Sequence, residues 1–311
     1  MTDFLDNIFQ EIKFTLLGHI LNPFWNPRIK RRRVRGKHSY AKVRHYLEKY
    51  WTFIKGLQPK DIPTTLLKGE DKIFSIWFQG EEKAPELVKV CFKRLKDTYG
   101  NRFVVLDSKT IWEWITLPAS IKSKYEAGKI THAHFSDICR VALLYQNGGM
   151  WFDATDFLTH RVPQWIEDAD LFIYNEGNTI TPGTFIQSCF MRAKKGHPLM
   201  GMWLDFIYEY WDKENKLIHY FLLHYMLRFM VENNDNAAAL FNAMPNINQD
   251  PTHVLWYFHQ NDPYSDTLYE IDTQGSFFQK TSFKGKNAKK PVPKSVADTI
   301  MAGKAKGVKN G

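Results

Sequence analysis

Apolar residues recur at helical spacing over residues 4–21, at Leu5, Ile8, Phe9, Ile12, Leu16 and Ile20, with Asp6, Gln10 and Lys13 between them. Pro23 and Pro27 break that helix. A second helix, rich in Tyr and Trp, is expected over 40–57. The pattern then changes. "DKIFSIWFQG" is an apolar, β-branched and aromatic run stopped by Gly80, which predicts a strand. "APELVKVCFKRLKDTYG" returns to helical spacing through Leu87, Val90, Cys91 and Leu95, with Pro85 at its start and Gly100 at its end. "RFVVLD" reads as a second strand. Strand–helix–strand in this order predicts a βαβ unit and a parallel sheet. "HFSDICRVALLYQNGG" predicts a helix stopped at Asn147-Gly148, and "MWFD" a short strand. "ADLFIYNE" predicts a further strand, and helices dominate from about 197 to 243. Ligands of such sheets bind beyond the carboxyl ends of the strands. That rule points to Trp77 through Gly80, Asp107 and Asp153.

Length and composition change this picture little. The 311 residues, 44% hydrophobic and 15% aromatic, suffice for one large domain or two small ones with a sizeable core. No run of 18 apolar residues predicts a membrane span. Asp3, Asp6 and Glu11 interrupt what would have to be the apolar part of a secretory signal. Cys91, Cys139 and Cys189 are too few and too scattered for a disulfide framework or a zinc site, so reduced thiols in a cytoplasmic protein are expected.

Charge adds more. Residues 1–60 hold 13 Lys/Arg against 4 Asp/Glu, and residues 280–311 hold 9 against 1, so the body between them is net acidic although the whole chain is +9. A nucleic-acid-binding protein would carry basic charge on its folded body. Basic ends around an acidic body suit an anionic surface instead. The helix over 4–21 followed by the basic cluster Arg28–Lys37 supplies two weak membrane signals, which together can hold a protein on anionic lipid. Packing of that helix on the protein's own core or on a partner subunit is the alternative. The expected organisation is a helical, basic N-terminal extension (1–60), a main domain (61–285) and a flexible Lys-rich tail (286–311).

The candidate chemistry lies in "NGGMWFDATDFLT", residues 147–159. Two carboxylates within one turn at a strand end can converge on a hard cation that bridges phosphates. A solvated acidic turn would look the same. The preceding helix brings Asp137 and Arg140 to one face, three residues apart. They form either a local ion pair or a site for phosphate or sugar hydroxyls, to which Arg is suited. Trp77 can stack on a nucleobase, or serve only the core.

These residues carry a resemblance. "HFSDICRVALLYQNGGMWFDATDFLT" is similar to the signature of DXD-containing glycosyltransferases of family thirty-two and of the clostridial toxin glucosyltransferases, in which Ser/Ala-Asp-x-x-Arg leads through Gly-Gly-x-Tyr/Trp to a metal-binding Asp-x-Asp. "KIFSIWFQGEEKAPELVKVCFKRLK" resembles the opening of the capsular polysaccharide synthesis proteins within that group. "HYFLLHYMLRFM" and "GSFFQKTSFK" look similar to later stretches of those proteins. The resemblance spans roughly 70–285.

It implies an α/β fold of GT-A type, a Rossmann-like mixed sheet flanked by helices. It also implies transfer of a sugar, with retention, from a nucleotide-sugar donor such as a UDP-hexose, assisted by Mn²⁺ or Mg²⁺. The acceptor it implies is a glycan or lipid-linked glycan of a bacterial surface polysaccharide, made at the inner membrane face. By motif position, Trp77 matches the base-stacking residue, Asp137 the contact to donor ribose or sugar hydroxyls, Arg140 the contact to sugar and diphosphate, and Asp153 the first metal ligand. No catalytic nucleophile is implied, because a front-face mechanism needs none. Position 155 departs from the pattern. It is Thr, and the second Asp follows at 156. In a regular strand that shift points the carboxylate to the other face. Asp156 therefore reaches the ion only through a bend directly after Asp153. Otherwise Thr155 takes a weaker place, or a distant ligand such as His253 or His259 completes the shell. Lys280 and Lys284 are candidates for neutralising the diphosphate from a closing C-terminal loop. A non-catalytic sugar-nucleotide-binding protein with a degenerate metal site is the alternative function.

Overall fold

The computed structural model describes residues 39–60, 72–177, 183–284 and 290–309. The expected amphipathic helix over 4–21 and the basic cluster Arg28–Lys37 lie outside these residues. The centre of the molecule is a five-stranded sheet in the order β2-β1-β3-β6-β5. Its strands are β1 (Ile73–Ile76), β2 (Phe103–Leu106), β3 (Gly149–Phe152), β5 (Leu171–Asn175) and β6 (Ile186–Ala193). A separate pair joins β4 (Asp156–Leu158) to β7 (Phe278–Lys280). β1 runs parallel to β2 and β3, as the strand–helix–strand pattern requires, whereas β6 is antiparallel to both β3 and β5. The sheet is therefore mixed, and helices flank it.

The alternation of side chains explains the layers. Phe74, Trp151, Ile173 and Met191 face one side, and Ile73, Met150, Phe152, Phe172 and Phe190 the other. The second face is covered by α2 (Glu86–Tyr99), through Val88, Phe92 and Leu95, and by Leu158 and Phe278 of the β4–β7 pair. The first face is covered by α3 (His132–Asn147), α4 (Pro198–Lys213) and α5 (Leu222–Asn233). Thr131 caps α3 by accepting the His134 N–H, and Gly148, at φ +74°, closes it with an N–H bond to Leu144. The chain then enters β3 through Gly149, at φ +94°. A Cβ there would collide with the Lys72 carbonyl. The Gly-Gly pair thus lets α3 turn directly into a strand lying against β1.

Two expectations about the chain ends change. Residues 39–47 are helical and continue through a short turn into α1 (Trp51–Gly56). Tyr40, Val43, Leu47, Tyr50 and Ile54 are buried in the same core cluster as α4 and α5. Tyr46, Lys49 and Tyr50 all bond Glu214, at the end of α4. This part of the N-terminal extension is built into the main core. The Lys-rich tail is also not uniformly flexible. Val296–Met301 form α8, whose Val296, Ala297 and Ile300 are buried against Leu87, Cys91 and Phe157, in a cluster that also takes in α6 (Val254–His259) and α7 (Asp266–Thr273). The composition concealed a short apolar face at helical spacing. Arg94 donates to the Lys306 carbonyl at 2.8 Å and fixes the chain beyond α8. Among the described residues no helix is long and apolar enough to cross a membrane.

Candidate functional site

Trp77 and Asp153 follow β1 and β3, which are parallel, so both fall at the carboxyl edge of the sheet. The backbone after β3 does bend. Asp153 N–H donates to Cys189 on β6, Asp156 N–H returns to the Asp153 carbonyl at 3.0 Å, and the chain sets out again as β4. The turn brings the Asp156 carboxylate back towards Asp153, whose N–H it accepts at 3.2 Å. Thr155 sits at the turn and its carbonyl accepts from both the N–H and the hydroxyl of Thr281. The face reversal expected of a regular strand is thus undone by a tight turn.

The two carboxylates converge on one cation. Lys280 Nζ lies 2.7 Å from Asp153 Oδ2 and 3.0 Å from Asp156 Oδ1. Lys280 is the residue directly opposite Asp156 in the β4–β7 ladder. Lys280, a candidate for neutralising the diphosphate from a closing C-terminal loop, lies in a strand of this ladder, and register places it on the aspartates. Burial opposes the charge on Lys280, but Asp153 and Asp156 outweigh it and hold the ammonium above the usual lysine range. Asp156 is fully buried, and burial pushes its carboxyl up to about 7 despite Lys280, with the Asp153 charge adding to the rise. Burial acts the same way on Asp153, but Arg140 and Lys280 outweigh it and hold that carboxyl below its usual value.

Arg140 is 6% exposed and reaches the site from α3. Its Nη2 lies 3.1 Å from both Asp137 Oδ1 and Asp153 Oδ1, and its Nη1 donates to the Ser188 carbonyl at 2.6 Å and hydroxyl at 2.8 Å. The guanidinium lies over the Trp151 ring, 4.9 Å from its centroid. Burial opposes its charge, and Asp153 and Asp137 more than compensate. Arg140 is therefore the brace that joins Asp137 to Asp153. The structure brings Asp137, Arg140, Asp153, Asp156 and Lys280 into one connected cluster.

Sequence reasoning missed several supports of this cluster. Trp151 donates its indole N–H to Asp153 Oδ1 at 2.9 Å. It is two residues before Asp153 and on the same strand face, a relation visible in the sequence. Ser188 lies on β6, which was not anticipated. His224, on α5, contacts the Ser188 hydroxyl through Nε2 at 3.2 Å. Burial lowers its pKa to about 4. On the other side of Asp137, Trp211 donates to His134 Nε2 at 3.0 Å, which leaves the proton on Nδ1, facing Asp137 at 3.5 Å.

The remaining candidates sit further out. Trp77 is half-buried, and Phe283 meets its ring edge-on at 5.5 Å between centroids. The segment 281–284 thus links Trp77 to the Asp153–Asp156 turn through Thr281. Lys284 is exposed and stands over the Phe283 ring. His253 is buried beside β7, with Nδ1 2.7 Å from the Thr252 hydroxyl, and burial, with Lys280 adding, lowers its pKa to about 4. His259 faces Asp262 and Asp272 at 3.5 and 3.6 Å. Asp107 serves its own turn, accepting from the N–H groups of Lys109 and Thr110. Among the described residues no three His, Cys, Asp or Glu side chains gather about one point where they could hold a metal ion together. The donor set that fits a divalent ion is the Asp153–Asp156 pair, which already converges on a positive charge. Hard cations at phosphate sites commonly take only one or two carboxylates and leave the rest of the shell to phosphate and water.

Fold and site together define a mixed α/β protein with a charged, carboxylate-lined site at the carboxyl edge of its sheet. The chain belongs to the capsular polysaccharide synthesis protein family, whose model matches residues 23–300. It is also similar to the O-glycosyltransferase braB of Annulohypoxylon truncatum, 34% identical over 92 residues. That match covers 27% of this chain and 22% of the fungal protein, so the chain spans about a fifth of that relative's length. A solved structure, the PaToxG glycosyltransferase, aligns over 69% of this chain and 84% of its own, with 14% identity and a TM-score of 0.35.

Proposed function

We propose that the chain is a glycosyltransferase that moves a sugar, with retention, from a nucleotide-sugar donor such as a UDP-hexose to a glycan or lipid-linked glycan of a surface polysaccharide. The observation that carries the reading is the convergence of Asp153 and Asp156 on one cation, braced by Arg140 to Asp137, at the carboxyl edge of the sheet. Family membership and the likeness over 92 residues to a protein named as an O-glycosyltransferase support it.

Asp153 and Asp156 would hold Mn²⁺ or Mg²⁺, which supplies charge to offset that gathering on a leaving diphosphate. Arg140 is too enclosed to grip the donor and instead keeps Asp137 and Asp153 fixed in position. Asp137, held by Arg140 at Oδ1 and faced by His134 at Oδ2, keeps 15% of its side chain exposed and with it accepts hydroxyls of ribose or sugar. Trp77 offers its ring to the base, and Lys284 lies on the exposed side of the same segment. Preorganised charges of this kind lower a barrier because they need not reorganise as the reaction proceeds. The helix expected from the sequence over 4–21 and the cluster Arg28–Lys37 would rest on anionic lipid at the inner face of the membrane, where a lipid-linked acceptor is within reach.

A screen of nucleotide-sugars with Mn²⁺ or Mg²⁺ tests the reading through protection against thermal unfolding and slow donor hydrolysis. At least one donor should give both effects, and D153N should lose both. A screen in which no nucleotide-sugar protects would remove the reading. Occupation of the carboxylate pair by Lys280 favours a second reading, a sugar-nucleotide-binding protein without catalysis. Protection without hydrolysis, even with glycan acceptors added, is the result that selects it.

A further inference from the structure

We propose that Lys280 and a divalent cation compete for the same two carboxylates, so that the ion enters only as the Lys280 ammonium leaves. The inference rests on the reading of Asp153 and Asp156 as the cation's place, and goes beyond it by giving Lys280 control over how tightly that place binds.

Every carboxylate oxygen of the pair is already engaged. Asp153 Oδ1 takes the Trp151 indole N–H and Arg140 Nη2, and Oδ2 takes Lys280. Asp156 Oδ1 takes Lys280, and Oδ2 takes the Asp153 N–H. Three of these donors cannot yield. Trp151 lies in the core, Arg140 is held from behind by Ser188, and the Asp153 N–H belongs to the turn. Lys280 can yield. Its backbone is held in the β4–β7 ladder, but its side chain is flexible and 19% exposed, and the Asp153 side chain beside it is 25% exposed. The outlet lies on that side, since Asp156 is closed to solvent. An ion placed to touch both Oδ2 of Asp153 and Oδ1 of Asp156 would occupy the space of Nζ, and two cations in that space repel strongly at low dielectric.

Competition has a quantitative signature. The apparent affinity for the ion is reduced by the fraction of molecules in which Lys280 is away from the pair. Mn²⁺ binding to the whole chain, without nucleotide, is measured by calorimetry for wild type, K280M and K280R. K280M should bind Mn²⁺ at least about tenfold more tightly than wild type, while K280R, which keeps the charge, should stay near wild type. Equal or weaker binding by K280M overturns the competition and leaves the cation site standing. Absence of Mn²⁺ binding to all three proteins overturns both. Should K280M not fold, wild type itself decides. Acylation of Lys280 by an amine-reactive reagent, read by mass spectrometry, should rise several-fold with Mn²⁺. Unchanged labelling while Mn²⁺ quenches tryptophan fluorescence overturns the proposal.

Discussion

Arg140 illustrates how one buried residue fixes the site. Its two terminal nitrogens serve Asp137, Asp153 and Ser188 at once, which a single ammonium cannot reproduce. Removing one partner of a buried ion pair typically costs about 3–5 kcal/mol, because the other charge stays buried. R140M should lose stability on that scale in urea unfolding, and R140K should recover only part of it. Asp156 allows a pH test. Its folded pKa is raised to about 7 from an ordinary carboxylate value, so the native state binds the proton more tightly than the unfolded chain. Its contribution to stability therefore falls as pH rises from about 4 to 7. Wild type should lose roughly 1–4 kcal/mol relative to D156N across that window, and a flat difference would show that Asp156 titrates normally. At this scale much of the site was readable. Asp137, Arg140, Asp153 and Asp156 share the cluster that motif spacing suggested. The pairing of Lys280 with the aspartates was not readable, because it depends on the register between strands more than 120 residues apart.

At the scale of elements, periodicity located β1, α2, β2, α3, β3 and β5, each bounded by Gly or Pro or by a change of pattern. It missed β6, which lies at the heart of the sheet. "IQSCFMRA" is buried on both faces, so it lacks the alternation that marks a half-exposed strand. It also missed β4 and β7, whose three residues each are too short to show a period. The Gly148-Gly149 join makes a sharp prediction. G149A combines a left-handed backbone position with a collision against the β1 entry, so β1 and β3 must part. Loss of about 3 kcal/mol or more, or failure to fold, is expected from the usual cost of strained positions and overpacking together. G56A, in α1, where an added Cβ meets nothing, should by contrast be neutral or slightly stabilising in the same thermal unfolding assay.

Across the whole molecule, charge is organised in regions. The acidic body carries the aspartates and Arg140 of the site, and Lys280, at the start of the basic C-terminal stretch, meets them there. Removal of residues 1–37 should release the protein from anionic liposomes while sparing donor hydrolysis, whereas retained binding would contradict the lipid-facing role. Stability should also respond to acid. His224 and His253 are buried with pKa values lowered to about 4, below the unfolded value, so their contribution is lost as pH falls from about 6.5 towards 4. That loss opposes the gain from Asp156 over the same range, so D156N should show the steeper acid unfolding. The role of the two ends was only partly legible. Composition marked them as basic, but the burial of Tyr40 to Ile54 and of Val296 to Ile300 follows from partners far along the chain.

The most direct test titrates tryptophan fluorescence with nucleoside diphosphates, with and without Mn²⁺, in wild type, W77F and D153N. A metal-dependent quench by at least one nucleotide, reduced in W77F and absent in D153N, is the predicted result. A signal that no nucleotide changes in a metal-dependent way would contradict a nucleotide-sugar site at Asp153.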